Sequence, residues 1–123
     1  MAYESRIIVV SKFNTKGYDE EVKDFYACEE LARINLCRID DEVLGRIKSY
    51  PASDCYIWDQ GKPRAKDYYG DLMTEIPLKD AIKIFAYATS ISDYRRYEPC
   101  LSLLKGFDTA GWEDSVVVLH FGY

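Results

Sequence analysis

The sequence predicts an α+β fold, a mainly antiparallel sheet of about four to five strands packed with two to three helices. Three observations predict it. Two apolar, β-branched runs, Ile7-Ile8-Val9-Val10 and Val116-Val117-Val118-Leu119, lack surface alternation and read as central strands buried on both faces. Apolar residues recur at helical spacing from Leu78 to Ala88 and again from Leu101 to Phe107. Strand signals follow one another locally, which favours antiparallel pairing, and the helices gathered between them favour a layer on one sheet face. At 123 residues the chain suits a single domain large enough to bury a core.

Taken in order, Ser5 to Phe13 is the first predicted strand. Asn14 to Gly17 supplies turn chemistry, and Asp19 to Asp24 is a solvated acidic stretch. Glu30 to Ile39 alternates with period two and reads as a second strand; a rival reading places a helical turn or two on Val22, Phe25, Tyr26 and Glu29. Asp40 can cap a short helix that turns Val43, Leu44 and Ile47 inward until Pro51. Ser53 to Asp59 is an aromatic strand, and Gln60-Gly61-Lys62-Pro63 turns the chain back through Arg64 to Met73. Pro77 suits the first position of the helix that carries Leu78, Ala81, Ile82, Phe85 and Ala88. After a break at Ser90 to Asp93 a further helix starts at about Glu98, with Gly106 and Gly111 helping to end it. Ser115 to Phe121 closes the order β-β-α-β-β-α-α-β.

Composition narrows the function classes. With 48% hydrophobic and 30% charged residues the chain reads as a folded, soluble protein. No apolar run nears the roughly 20 residues of a membrane-spanning helix, and Met1 to Ile8 has no signal-peptide character. The expectation is a cytoplasmic protein with no membrane partner. A net charge of −5 argues against nucleic acid as a partner, because backbone binding relies on Lys and Arg displacing counterions. Cys28, Cys37, Cys55 and Cys100 form no C-x-x-C pair and are expected as reduced, structural thiols. With one histidine, a zinc site would need an unusual mixed ligand set, so neither metal nor cofactor is expected.

Asp93-Tyr94-Arg95-Arg96-Tyr97 is the most informative stretch. Arginine pairs bidentately with phosphate, tyrosine faces accept a base, and a following helix N-terminus favours negative charge. The alternative is a surface network in which Arg95 and Arg96 pair with Asp93 or Glu98. The candidate ligand-binding set is Tyr94, Arg95, Arg96 and Tyr97, joined by Trp58, Tyr69 and His120. His120 also reads as a strand-end histidine making one hydrogen bond. Asp54, Asp59, Asp67 and Asp71 could meet across the hairpin as an acid/base pair or a cation site, or could simply keep it solvated. Eleven tyrosines suggest a recognition surface or a homo-oligomer interface, or routine packing on half-buried strands.

Several segments resemble a group of small uncharacterised proteins of phages and prophages of Gram-positive bacteria. These are Ser5 to Val10, Asp54-Cys55-Tyr56-Ile57, Tyr69-Gly70, Asp93 to Arg96, Leu103-Leu104-Lys105-Gly106-Phe107-Asp108 and Val118-Leu119-His120-Phe121-Gly122-Tyr123. The segment from Asn14 to Tyr26 is longer than the turn of that group. The resemblance implies a source and carries no catalytic residues. It suggests an anti-defence protein that inhibits host immunity by binding, first as a sponge for a nucleotide immune signal. An acidic inhibitor docked on a host defence protein such as a CRISPR nuclease comes second. A small nucleotide hydrolase is third and an assembly role fourth.

Overall fold

The computed structural model, which describes residues 4–123, sets the two β-branched runs side by side. The chain order is β1 (Ser5–Lys16), β2 (Tyr26–Asn35), α1 (Asp41–Lys48), β3 (Ile57–Asp59), β4 (Lys62–Arg64), β5 (Thr74–Pro77), α2 (Leu78–Ile91), α3 (Tyr97–Thr109) and β6 (Val117–Gly122). A four-stranded sheet has the order β2-β1-β6-β5 with every neighbour antiparallel. β1 and β6 pair from Ser5 opposite Gly122 to Val10 opposite Val117. The fold is thus α+β on an antiparallel sheet, as the sequence predicts.

Both faces of the central strands are covered, which is why β1 does not alternate. Ile7, Val9 and Val118 pack on the helix side with Ile76, Phe85, Tyr97 and Leu104. Ile8, Val10, Leu119 and Phe121 pack on the other side with Cys55, Ile57 and Met73, beneath the β3-β4 hairpin. Ile7 to Val10 have no exposed surface, and each fully buried aliphatic side chain of this size contributes about 1.5–3 kcal/mol. A bulge in β2 sets Val9 opposite Ala32 and Val10 opposite Glu30, leaving Leu31 as the extra residue. Leu31 and Ala32 can then both pack toward the helices although they are neighbours in sequence.

Several boundaries differ from the sequence expectation. β1 continues through Asn14 to Lys16, and the turn begins only at Gly17. β2 starts at Tyr26, so Tyr26 and Glu29 are extended and the rival helical stripe does not form. It ends at Asn35, after which Cys37 takes a positive φ of 64°. β5 is an additional strand, and Pro77 is its last residue and the N-cap of α2. Asp40 is the N-cap of α1, but its side chain makes no cap hydrogen bond. Asp40 Oδ2 instead accepts from the Tyr97 hydroxyl at 2.8 Å, tying α1 to α3. Gly106 lies within α3; Gly111, at φ 85°, ends it.

That end is a Schellman motif: Gly111 N–H donates to Asp108 O and Trp112 N–H to Phe107 O, both at 3.0 Å. The Phe107 and Trp112 rings close it edge to face at 6.1 Å. All four cysteines are free thiols. Among the described residues no helix is long and apolar enough to cross a membrane.

Candidate functional site

The loop between β1 and β2 folds back over the hairpin. Gly17 N–H donates to Phe25 O at 2.9 Å, and Val22 is buried with Tyr56 and Ala65, with Phe25 packed against them. This small cluster seats Phe25 beside β4. There a groove of about 470 Å³ is lined by Glu21, Phe25, Lys62, Arg64, Ala65 and Lys66. The alternate positions Lys62, Arg64 and Lys66 bring three cations to one wall, against the single carboxylate of Glu21.

Arg64 is held in place. Its guanidinium lies 4.3 Å from the centre of the Tyr68 ring, and its Nε donates to Lys66 O at 3.3 Å. Lys62 and Lys66 are exposed, and among the described residues neither pairs with a carboxylate. The groove therefore joins a preset planar cation, two exposed ammonium groups and an aromatic ring. That set matches a ligand with both phosphate and an apolar ring.

The residues singled out from the sequence lie elsewhere. Tyr94, Arg96 and Tyr97 do come together, against the end of β2 and the loop after it, on the helix side of the sheet. The Tyr94 hydroxyl donates to Leu36 O, and its ring carries the Arg38 guanidinium at 4.4 Å. Arg96 Nη1 donates to Asn35 O at 2.8 Å. Tyr97 is fully buried against Phe85 and edge-on to Tyr94. The expected base-stacking role of these tyrosines is therefore corrected: Tyr97 has no open face, and a cation covers Tyr94. Arg95 alone of the pair is exposed, and neither arginine pairs with Asp93 or Glu98 among the described contacts.

Trp58 is 53% exposed on β3, opposite Pro63, and borders two smaller hollows beside the groove. The Tyr69 hydroxyl donates to Tyr123 O at 3.0 Å. His120 has no exposed surface, and its Nε2 lies 2.7 Å from Ser5 Oγ. Burial, with Lys48 adding to it, lowers its pKa to about 3. A neutral, enclosed imidazole can neither touch a surface ligand nor serve it as a base, which removes His120 from the ligand set.

The hairpin acids do not converge either. Burial pulls the Asp59 carboxyl up, but the Tyr68 hydroxyl and the Arg6 and Arg33 guanidinium groups outweigh it and hold it below its ordinary value. Arg6 Nη1 is 3.1 Å from Asp59 Oδ1. Asp67 Oδ1 accepts the backbone N–H groups of Tyr69 and Asp71, and its Oδ2 accepts that of Gly122. Asp54 pairs with Lys12, and Asp71 faces Lys48. Each acid has its own partner, so no acid/base pair forms among them.

The groove escaped the sequence reading because its walls come from separate segments. The alternation of Lys62, Arg64 and Lys66 was the available signal, but Pro63 within it suggested a turn. Comparisons with protein-family models, curated proteins and solved structures gave no match. The fold and site thus define an α+β domain with a basic, aromatic-edged groove.

Proposed function

We propose that this chain is a binding protein that captures a phosphorylated, nucleotide-type ligand in the groove without converting it. The observation that carries the reading is the groove itself, three cations and Phe25 on a protein whose net charge is −5. Lys62, Arg64 and Lys66 meet the phosphates, Phe25 packs against the base, and the overall negative charge disfavours long nucleic acids. The enclosed, neutral His120 supports binding over hydrolysis. Together with the resemblance to phage proteins, this supports an anti-defence protein that sequesters a nucleotide immune signal in a host cytosol.

The test is to incubate the protein with cyclic and ADP-ribose-type nucleotides, measure binding by calorimetry, heat-denature the complex and analyse what is released. Intact nucleotide is expected, at one per groove. Lys62→Ala and Lys66→Ala should each weaken binding by about 1.5–3 kcal/mol, the range of a charge-assisted hydrogen bond, while Arg95→Ala leaves it unchanged. Converted product would make the protein an enzyme. Loss of binding in Arg95→Ala alone would move the site to the segment before α3. No nucleotide bound, with a host defence protein co-purifying, would replace this reading by the acidic inhibitor.

A further inference from the structure

The outer face of the β3-β4 hairpin carries an apolar surface apart from the groove. Along β3 the buried Ile57 and Asp59 point into the molecule, so Trp58 between them points out, on the same face as Pro63 across the hairpin. One end of this face is closed by the loop before β2, where Val22 packs on Tyr56 and Ala65. The other end is open. There Trp58 is the shared wall of two hollows: Tyr18, Asp19 and Pro63 line the first with it, and Cys28, Glu30 and Ile57 line the second, of about 180 Å³. Tyr18 is 90% exposed, so two large aromatic side chains face water side by side. Each hollow has one carboxylate in its wall and no cation. Glu30 is paired with Arg33 at 2.7 Å. Asp19 forms no ion pair among the described residues and uses one oxygen to accept the Glu21 N–H at 3.0 Å.

We propose that these two hollows dock a basic, proline-rich segment of a partner protein in the polyproline II conformation, with Trp58 as the ridge between two proline contacts and Asp19 as the acceptor for a lysine or arginine. Aromatic-lined clefts hold proline rings in this way. A polyproline II helix repeats on one face every third residue, about 9 Å along its axis, so one segment seats a ring on either side of a single indole. The helix has no internal hydrogen bonds, and the indole N–H can donate to one of its free carbonyls. It is ordered before it binds, so shallow hollows suffice because little conformational freedom is lost. Charge decides the flank. Asp19, Glu20, Glu21 and Asp24 outnumber Lys23 on the loop that carries Tyr18, which favours a cationic end over an acidic one, and over a neutral sugar stacked on the same rings.

The experiment follows the fluorescence of Trp112→Phe, which leaves Trp58 as the sole tryptophan of the two, during titration with a synthetic peptide of about eight prolines ending in two arginines. Expected are a blue shift of the emission and saturable binding that weakens as salt rises. The same peptide ending in two glutamates should bind about 5-fold more weakly or worse. Trp58→Ala, at an exposed position, should lose about 10-fold or more in calorimetry while keeping the wild-type circular dichroism. Asp19→Asn retains the acceptor for the Glu21 N–H and should weaken the arginine peptide about 2–5-fold, narrowing its advantage over the glutamate peptide. No emission shift, equal binding of the two peptides, or unchanged binding in Trp58→Ala would each overturn the proposal. So would a shift with a chitooligosaccharide and none with the peptide, which gives the face to a sugar, or a wild-type dimer in sedimentation that Trp58→Ala disperses, which gives it to a second copy. No nucleotide enters the titration, so failure here is distinct from failure of the groove reading.

Discussion

At the scale of single residues, His120 shows how the fold treats a group with obvious chemical promise. Its imidazole is enclosed and bonded to Ser5, so protonation would place a charge in the core. Because its folded pKa is lowered from 6.5 to about 3, the unfolded chain binds the extra proton first. Stability is then full above about pH 6.5 and falls by about 1.4 kcal/mol per unit as the pH drops toward 3. Denaturant unfolding between about pH 4.5 and 6.5, above the carboxylate range, should show this slope in the wild type and lack it in His120→Phe. At neutral pH His120→Phe leaves the Ser5 hydroxyl buried without its partner, at a cost of about 1–3 kcal/mol. Adding Ser5→Ala should recover much of that loss. A His120→Phe protein that keeps the slope would assign it to another group.

Secondary-structure elements were legible in proportion to how far their own residues decide them. β1, α2, α3 and β6 stand out because burial on one or two faces dictates their apolar pattern over many residues. β5 did not, because Thr74 to Pro77 is too short to establish a period and owes its extended form to pairing with β6. The start of β2 was obscured by Tyr26 to Glu29, whose strand form depends on β1 and on the bridge to Cys55. The groove was hidden for the same reason: Phe25 reaches β4 only through the loop that Gly17 allows. A Cβ on Gly17 would lie 2.6 Å from Val22 Cγ2 and 2.7 Å from the Val22 carbonyl oxygen, closer than real contacts permit. Gly17→Ala should therefore push the loop outward, lower stability by about 1–3 kcal/mol and weaken any ligand of the groove, whereas Gly45→Ala, with open space around it, should do neither. Calorimetry and thermal unfolding of the two variants check this; unaltered binding in Gly17→Ala would detach the loop from the site.

For the whole molecule the governing feature is a sheet enclosed by helices on one side and a hairpin on the other. An acid on the helix-side face of the central strands meets only the apolar core, so Val9→Asp and Val118→Asp should abolish cooperative folding. The sequence alone made Val117 an equivalent position, but it is only partly buried, and Val117→Asp should be the milder change in circular dichroism and urea titration. Soluble, cooperatively unfolding Val9→Asp and Val118→Asp proteins would contradict the enclosure. The same topology sets a timetable for synthesis. β6 follows every other element in the chain yet inserts between β1 and β5. While it is still being translated, Ile7 to Val10 have emerged, one edge of β1 is unpaired, and β5 has no neighbour in the sheet. Such edges invite pairing with other chains, and contacts between distant parts of a chain form slowly. The nascent protein is therefore most exposed to aggregation just before its final strand leaves the ribosome.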